Sequence, residues 1–299
     1  MRKLAWSFAV LTAMTFVLVV FGAVVRAKGA GLACPDWPLC FGEFVPTMDF
    51  GVVLEWGHRT LAGFVSLGFL GLGIASLVRR DSRERVGKLL LASAVVLVVQ
   101  IILGGLTVLE LLASWTVTSH LICGNAFTLS LALVSARLFR DDSAPREAVS
   151  GSQRWTALAF AGLLFAQLVL GGLVSSNFAG MACVEWPTCV GGQWFPTWSG
   201  PVGLHLVHRV IAYALLVAAA GLVWLSTTGA LANKSKLLLG LVSLQACVGI
   251  ANVLGRLPIE VTALHSALAC GLVLTTALLV EDAFSRPVHR QLHPAEVTS

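Results

Sequence analysis

Four histidines, His58, His120, His208 and His265, each stand about two turns inside a long apolar run. An ionisable side chain in such a place is costly and reads as functional. Two neutral imidazoles on facing helices can grip a flat iron macrocycle from both sides. Bundle cores hold such cofactors, and histidine is a standard axial ligand of haem. A single histidine reads at least as well as an interhelical hydrogen bonder; four at matched places favour haem ligation. Arg59 and Arg209 directly follow His58 and His208 and could offer cations to anionic propionates. His205 and His208 share a helical face at i and i+3. No further Cys, Asp or Glu lies obviously near them, which weighs against zinc. His289 and His293 fall in a polar tail and read as solvated.

The elements that position these residues follow from composition. Of 299 residues 57% are hydrophobic and 12% charged, about half the charged share of an ordinary soluble domain. Mean hydropathy is +0.86. That much apolar surface has no place in one soluble core, and it excludes disorder. The net charge of +5 is not gathered on a soluble face, so nucleic acid is not an expected partner; membrane lipid is. Eight apolar runs, at about 5–25, 52–78, 87–109, 113–139, 155–175, 201–227, 235–254 and 259–282, each suit a spanning helix of roughly 20 residues. They are continuous rather than alternating, which disfavours a β-barrel. The first lacks a clear cleavage site for a signal peptide. The expected fold class is an all-α polytopic membrane protein.

The chain also repeats itself. Cys34-Pro-Asp-Trp-Pro-Leu-Cys40 and Cys183-Val-Glu-Trp-Pro-Thr-Cys189 both read C-x-x-W-P-x-C, 149 residues apart. Gly22 and Gly171 each precede the first cysteine by twelve residues. Glu55-Trp-Gly-His58-Arg59 matches His205-Leu-Val-His208-Arg209, Gln100 and Gly104 match Gln245 and Gly249, and His120 matches His265. Two tandem four-helix bundles are expected, 1–146 and 147–299, as a parallel repeat about an axis along the membrane normal. Each offers one histidine from its second helix and one from its fourth. The halves differ at Glu55, where the second has His205. A carboxylate in low dielectric can hold or move protons near neutral pH; the plainer reading is an ion pair with Arg59 or Arg26.

Fifteen of the 20 Lys and Arg fall on one side of the predicted spans: Arg2, Lys3, Arg79, Arg80, Arg83, Arg85, Lys88, Arg137, Arg140, Arg146, Arg154, Lys234, Lys236, Arg286 and Arg290. Only Arg26, Lys28 and Arg256 fall on the other. Both termini are therefore expected in the cytoplasm, with the cysteine loops outward, where disulfides are permitted. Cys123, Cys247 and Cys270 lie in helices and read as small buried apolar side chains.

The ordered set of tandem halves, Glu-x-x-His-Arg, His120, His-x-x-His-Arg, His265 and paired loop cysteines resembles the haem A synthase family, over roughly residues 5–282. The resemblance implies a bacterial cell-membrane enzyme that converts haem O to haem A by successive oxidation of the C8 methyl to a formyl group. It implies His58 and His120 as ligands of the substrate haem and Glu55 as the catalytic carboxylate. It implies His208 and His265 as ligands of a resident haem B, and loop disulfides Cys34–Cys40 and Cys183–Cys189. Implied partners are haem O synthase and terminal oxidase assembly factors. Three other functions account for these residues less well. An electron-transfer cytochrome with two bis-histidine haems leaves Glu55 and the asymmetry of the halves unused. A transporter calls for Gly/Pro-broken spans, and only Pro201 and Pro258 lie near span ends. A disulfide-generating enzyme calls for closer cysteines, since five intervening residues suit a staple better.

Overall fold

The computed structural model describes residues 1–141, 148–226 and 229–285. Arg146, Arg286, Arg290, His289 and His293, and the 146/147 boundary, lie outside the described residues. The regular elements among the described residues are helical: α1 (Arg2–Ala27), α2 (Phe50–Val78), α3 (Arg80–Leu109), α4 (Ser114–Phe139), α5 (Gly151–Ser176), α6 (Gly200–Leu225), α7 (Gly229–Leu254) and α8 (Ile259–Phe284), with one 3-10 turn at Ala179–Met181. All eight α-helices are long and apolar enough to cross a membrane. The chain is a multi-pass membrane protein.

Most helices outrun the apolar runs that announce them. α3 begins seven residues before its apolar run, at Arg80, because a charged first turn is itself helical and carries an Arg80–Glu84 pair at i and i+4. Asp49 starts α2 by accepting the Val52 N–H, and Ser150 with Gln153 forms a capping box at α5. Pro201 occupies the first turn of α6, where a missing N–H costs nothing. The α3–α4 and α7–α8 turns each hold two non-glycine residues with positive φ, Leu111-Leu112 and Arg256-Leu257. Their amides return to the preceding helix (Leu112 to Thr107 O, Leu257 to Asn252 O). These turns fix the register at which α4 and α8, and with them His120 and His265, begin.

α1 packs on α2 and α4, and α3 packs on α2 and α4, so the first four helices close into a ring with α2 and α4 on its diagonal. α5 to α8 close in the same way, with α6 and α8 on the diagonal. The rings meet through α1 with α8, α4 with α5, and α4 with α8. Each ring is filled at the end away from the cysteine loops. In the first, Phe8, Leu11, Val65, Phe69, Leu90, Phe127 and Leu131 form the core; in the second, Phe160, Leu164, Leu215, Leu222, Leu238 and Leu279 do. At that same end Arg137 and Arg140 pair with Glu281, tying α4 to α8, and Lys234 pairs with Asp282. At the loop end Arg26 donates to Ser175 O at 2.9 Å, and Gly172 admits Thr118 against its backbone.

Candidate functional site

The four histidines lie at the loop end of the rings, beyond the apolar cores. Each faces a glycine on the neighbouring helix. A Cβ added at Gly22 would fall 3.0 Å from His58 Cε1, and at Gly104 3.1 Å from His120 Cε1. At Gly171 it would fall 3.3 Å from His208 Cε1, and at Gly249 3.3 Å from His265 Cε1. The absent side chain is what admits each ring. In each bundle the two histidines stand on diagonal helices, so they address the same core from opposite sides.

Glutamines accompany three of the four. Gln100 Nε2 lies 3.2 Å from His120 Nε2, and Gln167 Nε2 lies 3.3 Å from His208 Nε2. Gln245 donates to the His265 carbonyl. Each stands four residues before the facing glycine; in α1 that place is Leu18. Gln167 and Leu18 escape a reading based on matching residues, because they differ. The Nδ1 atoms of all four histidines and the Oε1 atoms of these three glutamines are buried without a hydrogen-bond partner. A buried polar atom left unpaired is costly and points to a further binding partner. Paired neutral imidazoles across a bundle core, each cradled by glycine, fit the axial ligation of a haem in each ring. Among the described residues no group of three or more His, Cys, Asp or Glu converges to hold a metal ion. His205 and His208 accordingly part company: His205 turns to the loop and His208 to Gly171.

Glu55 is buried, 5% exposed. Its Oε1 meets Arg59 Nη2 at 2.5 Å and its Oε2 accepts the Cys34 N–H at 2.8 Å. Arg26, the other candidate partner, is engaged with Ser175 instead. His205, also 5% exposed, takes the place of Glu55 in the second ring: the Cys183 N–H points to its Nδ1 at 3.4 Å. Arg59 donates to Asp36 O, Leu39 O and Cys34 O, and Arg209 to Thr188 O, Cys183 O and Glu185 O. Both guanidinium groups thus clamp the cysteine loops onto the helix that carries a histidine.

The loops are stapled by Cys34–Cys40 and Cys183–Cys189. All four cysteines are within 1% of fully buried, which suits staples and not reactive thiols. Asp36 and Glu185 occupy the same place inside the two loops. Backbone N–H groups of Gly42 and Phe41, with Arg59 nearby, hold the Asp36 carboxyl below its ordinary pKa. The Gly192 N–H, the Thr188 hydroxyl and the Gly191 N–H do so for Glu185. Gly191 and Gly192 both have positive φ, as a tight two-residue turn requires. Of the helical cysteines, Cys270 is buried as expected and Cys123 partly so. Cys247 is exposed on the outer face of α7, which corrects the expectation of burial; a small apolar side chain is equally at ease against lipid.

Residues 5–52 and 48–277 match the COX15-CtaA family, described as cytochrome oxidase assembly protein. The chain belongs to this family. It is 31% identical to the heme A synthase of Shewanella oneidensis, over 91% of this chain and 94% of the relative. It is 30% identical to that of Halalkalibacterium halodurans (93% and 96%) and 30% identical to that of Caulobacter vibrioides (95% and 95%). The COX15-CtaA match takes in Glu55, all four cradled histidines and both disulfide loops.

Proposed function

We propose that this chain is a haem A synthase, a membrane oxidoreductase that converts haem O to haem A by successive oxidation of the C8 methyl to a formyl group. The observation that carries the reading is the fourfold arrangement of histidine against glycine on diagonal helices, in a chain of this family. The bundle of residues 1–146 takes the substrate, between His58 and His120. The bundle of residues 147–299 takes a resident haem B, between His208 and His265. When bound there, haem B supplies a one-electron carrier.

The remaining parts are the chain's own. The diagonal imidazoles orient the macrocycle, and the glycines opposite keep the rings in register. Glu55 stands one turn from His58 and is the carboxylate that stabilises positive character at the reacting carbon and accepts a proton from it. Arg59 fixes that carboxylate in place through their ion pair. His205 is turned to its loop by the Cys183 N–H and supplies no anion beside the site, so the second ring holds a carrier and not a substrate. This difference disfavours a plain two-haem electron-transfer cytochrome. Arg59 and Arg209 also place positive charge beside each site, where propionates are favoured. The disulfide loops cover the outer ends of the bundles. Both termini lie in the cytoplasm of a bacterial cell. A haem O synthase supplies the substrate, and terminal oxidase assembly consumes the product.

The test is expression with a haem O synthase in cells that otherwise make no haem A, with extracted haems separated by chromatography. Haem A above the vector control supports the reading. Haem O alone, with the protein present and haem-loaded, overturns it.

A further inference from the structure

A cavity lies away from the histidines. It is a slot of about 790 Å³ between α4, α5 and α8, where the two rings meet. Its walls are mainly apolar, with Leu129, Leu168 and Phe165 among them, and it reaches the helix ends that carry Arg137 and Glu281. Inward of the charged mouth, Asn125 on α4 and Thr276 on α8 set polar side chains in the walls. They are 2% and 4% exposed, and Asn125 Oδ1 and Thr276 Oγ1 have no hydrogen-bond partner. Most threonines and serines in these helices bond a carbonyl three or four residues back, as Thr128 and Thr275 do; Thr276 does not.

We infer that this slot binds a membrane quinone, which serves as the electron acceptor; the second clause rests on the haem A synthase reading. Three observations point there. Asn125 Nδ2 donates to Leu121 O, so the free groups are the Thr276 hydroxyl, which can donate to a quinone carbonyl, and the Asn125 amide oxygen, which can accept from a quinol hydroxyl. His120 and His265 match in depth, so Asn125, five residues past the first, and Thr276, eleven past the second, differ by about 9 Å along the helices. That separation suits a ring with oxygens at opposite ends: the quinone takes the Thr276 hydroxyl bond at one carbonyl, and the quinol adds a second bond by donating its other hydroxyl to Asn125 Oδ1. The apolar walls suit an isoprenoid tail entering from lipid. Asn125 is also within about 8 Å of helix rise of His120. At the mouth Arg137 and Arg140 are engaged with Glu281 and Asp282, and Arg85 donates to Arg140 O, so the two free polar atoms inside are the feature in need of a partner.

The electron count closes. A ring methyl and one water become a formyl group with release of four electrons and four protons. Each quinone takes up two electrons and two protons and becomes a quinol, so two quinones are consumed per product.

The test is binding, measured apart from turnover. The purified haem-loaded protein is equilibrated with decylubiquinone or a short-chain menaquinone, passed through gel filtration, and its extract quantified. One quinone per chain is expected. Thr276→Val with Asn125→Leu should weaken binding roughly tenfold or more, and Ala277→Phe, which fills the slot, should abolish it. Haem content and the Soret band should stay unchanged in both. Absence of stoichiometric quinone, equal binding by all variants, or a retained phospholipid that quinone does not displace overturns the inference. Failure here with haem A still produced leaves the enzymatic reading standing; quinone bound without haem A production fails that reading alone.

Discussion

Glu55 and Arg59 form a buried ion pair one helical turn apart, with side chains 6% and 16% exposed. The matching turn of the second ring sets His205 beside Arg209, without a carboxylate. At this position the two sites differ by a carboxylate.

Glu55→Gln is the direct test of that charge. The glutamine amide oxygen can still accept the Cys34 N–H, so the loop should stay in place. What is lost is the anion and its basicity. Haem binding should persist while haem A formation falls by roughly 10²–10⁴-fold, the usual worth of general acid–base participation. Near-normal haem A from the variant would leave Glu55 as a structural tie between loop and helix.

His208→Ala and His265→Ala should each strip the resident haem B from the purified protein, because each removes one of two axial ligands in the same ring. His58→Ala and His120→Ala should leave that haem in place. Haem extraction and the reduced-minus-oxidised spectrum decide it. Equal haem B in all four variants would mean the rings have been assigned the wrong occupants.

How far the sequence alone reaches is clearest at the histidines. Their depth and pairing follow from counting residues into apolar runs, and the helices follow from run length. Gly22, Gly104, Gly171 and Gly249 are visible in the sequence as matched positions, but not as the seats of imidazoles. That needs to be known from which helix packs on which, and the order of helices around a ring is not written in the apolar pattern. Arg59 and Arg209 show a different limit. A long cation beside a site can reach inward to a propionate or outward to loop carbonyls, and only the folded loop, with its inward-pointing carbonyls, decides that the N–H groups go outward.

The loop carboxylates give a pH dependence. Asp36 and Glu185 have folded pKa values below their ordinary ones, held down by backbone N–H groups. Their stabilisation is complete above the ordinary carboxyl range near about 4 and is lost as pH falls through the lower folded values. Amide protection of Phe41, Gly42, Gly191 and Gly192 should therefore hold at pH ~6 and drop toward pH ~3, while helix content is kept. Protection that stays flat over this range would show that the disulfides alone hold the loops.

Orientation is tested by a reporter fused after Ser299. Fifteen of 20 basic residues lie on the side assigned to the cytoplasm, and that bias sets the direction of insertion. A cytoplasm-dependent reporter should be active and a strictly periplasmic one silent. The reverse result would invert the protein and put the disulfide loops in a reducing compartment.

The glycine seats make the last prediction. Gly171 and Gly162 lie nine residues apart on α5, but their surroundings differ. A Cβ at Gly171 would meet His208 Cε1 at 3.3 Å, whereas a Cβ at Gly162 meets nothing within 4 Å. Valine at Gly171 adds two further methyl groups in a direction where the imidazole already stands, and its stiff χ1 gives little room to turn away. The ring must shift, and axial ligation tolerates displacement poorly. Gly171→Val should reduce retained haem B several-fold, and Gly162→Val should leave it unchanged. Both replace a glycine in the same helix by the same β-branched residue, so helix propensity and bulk cancel in the comparison. Equal haem content in the two variants would dismiss the glycine as a seat for His208; equal loss in both would show a general failure of α5 to pack.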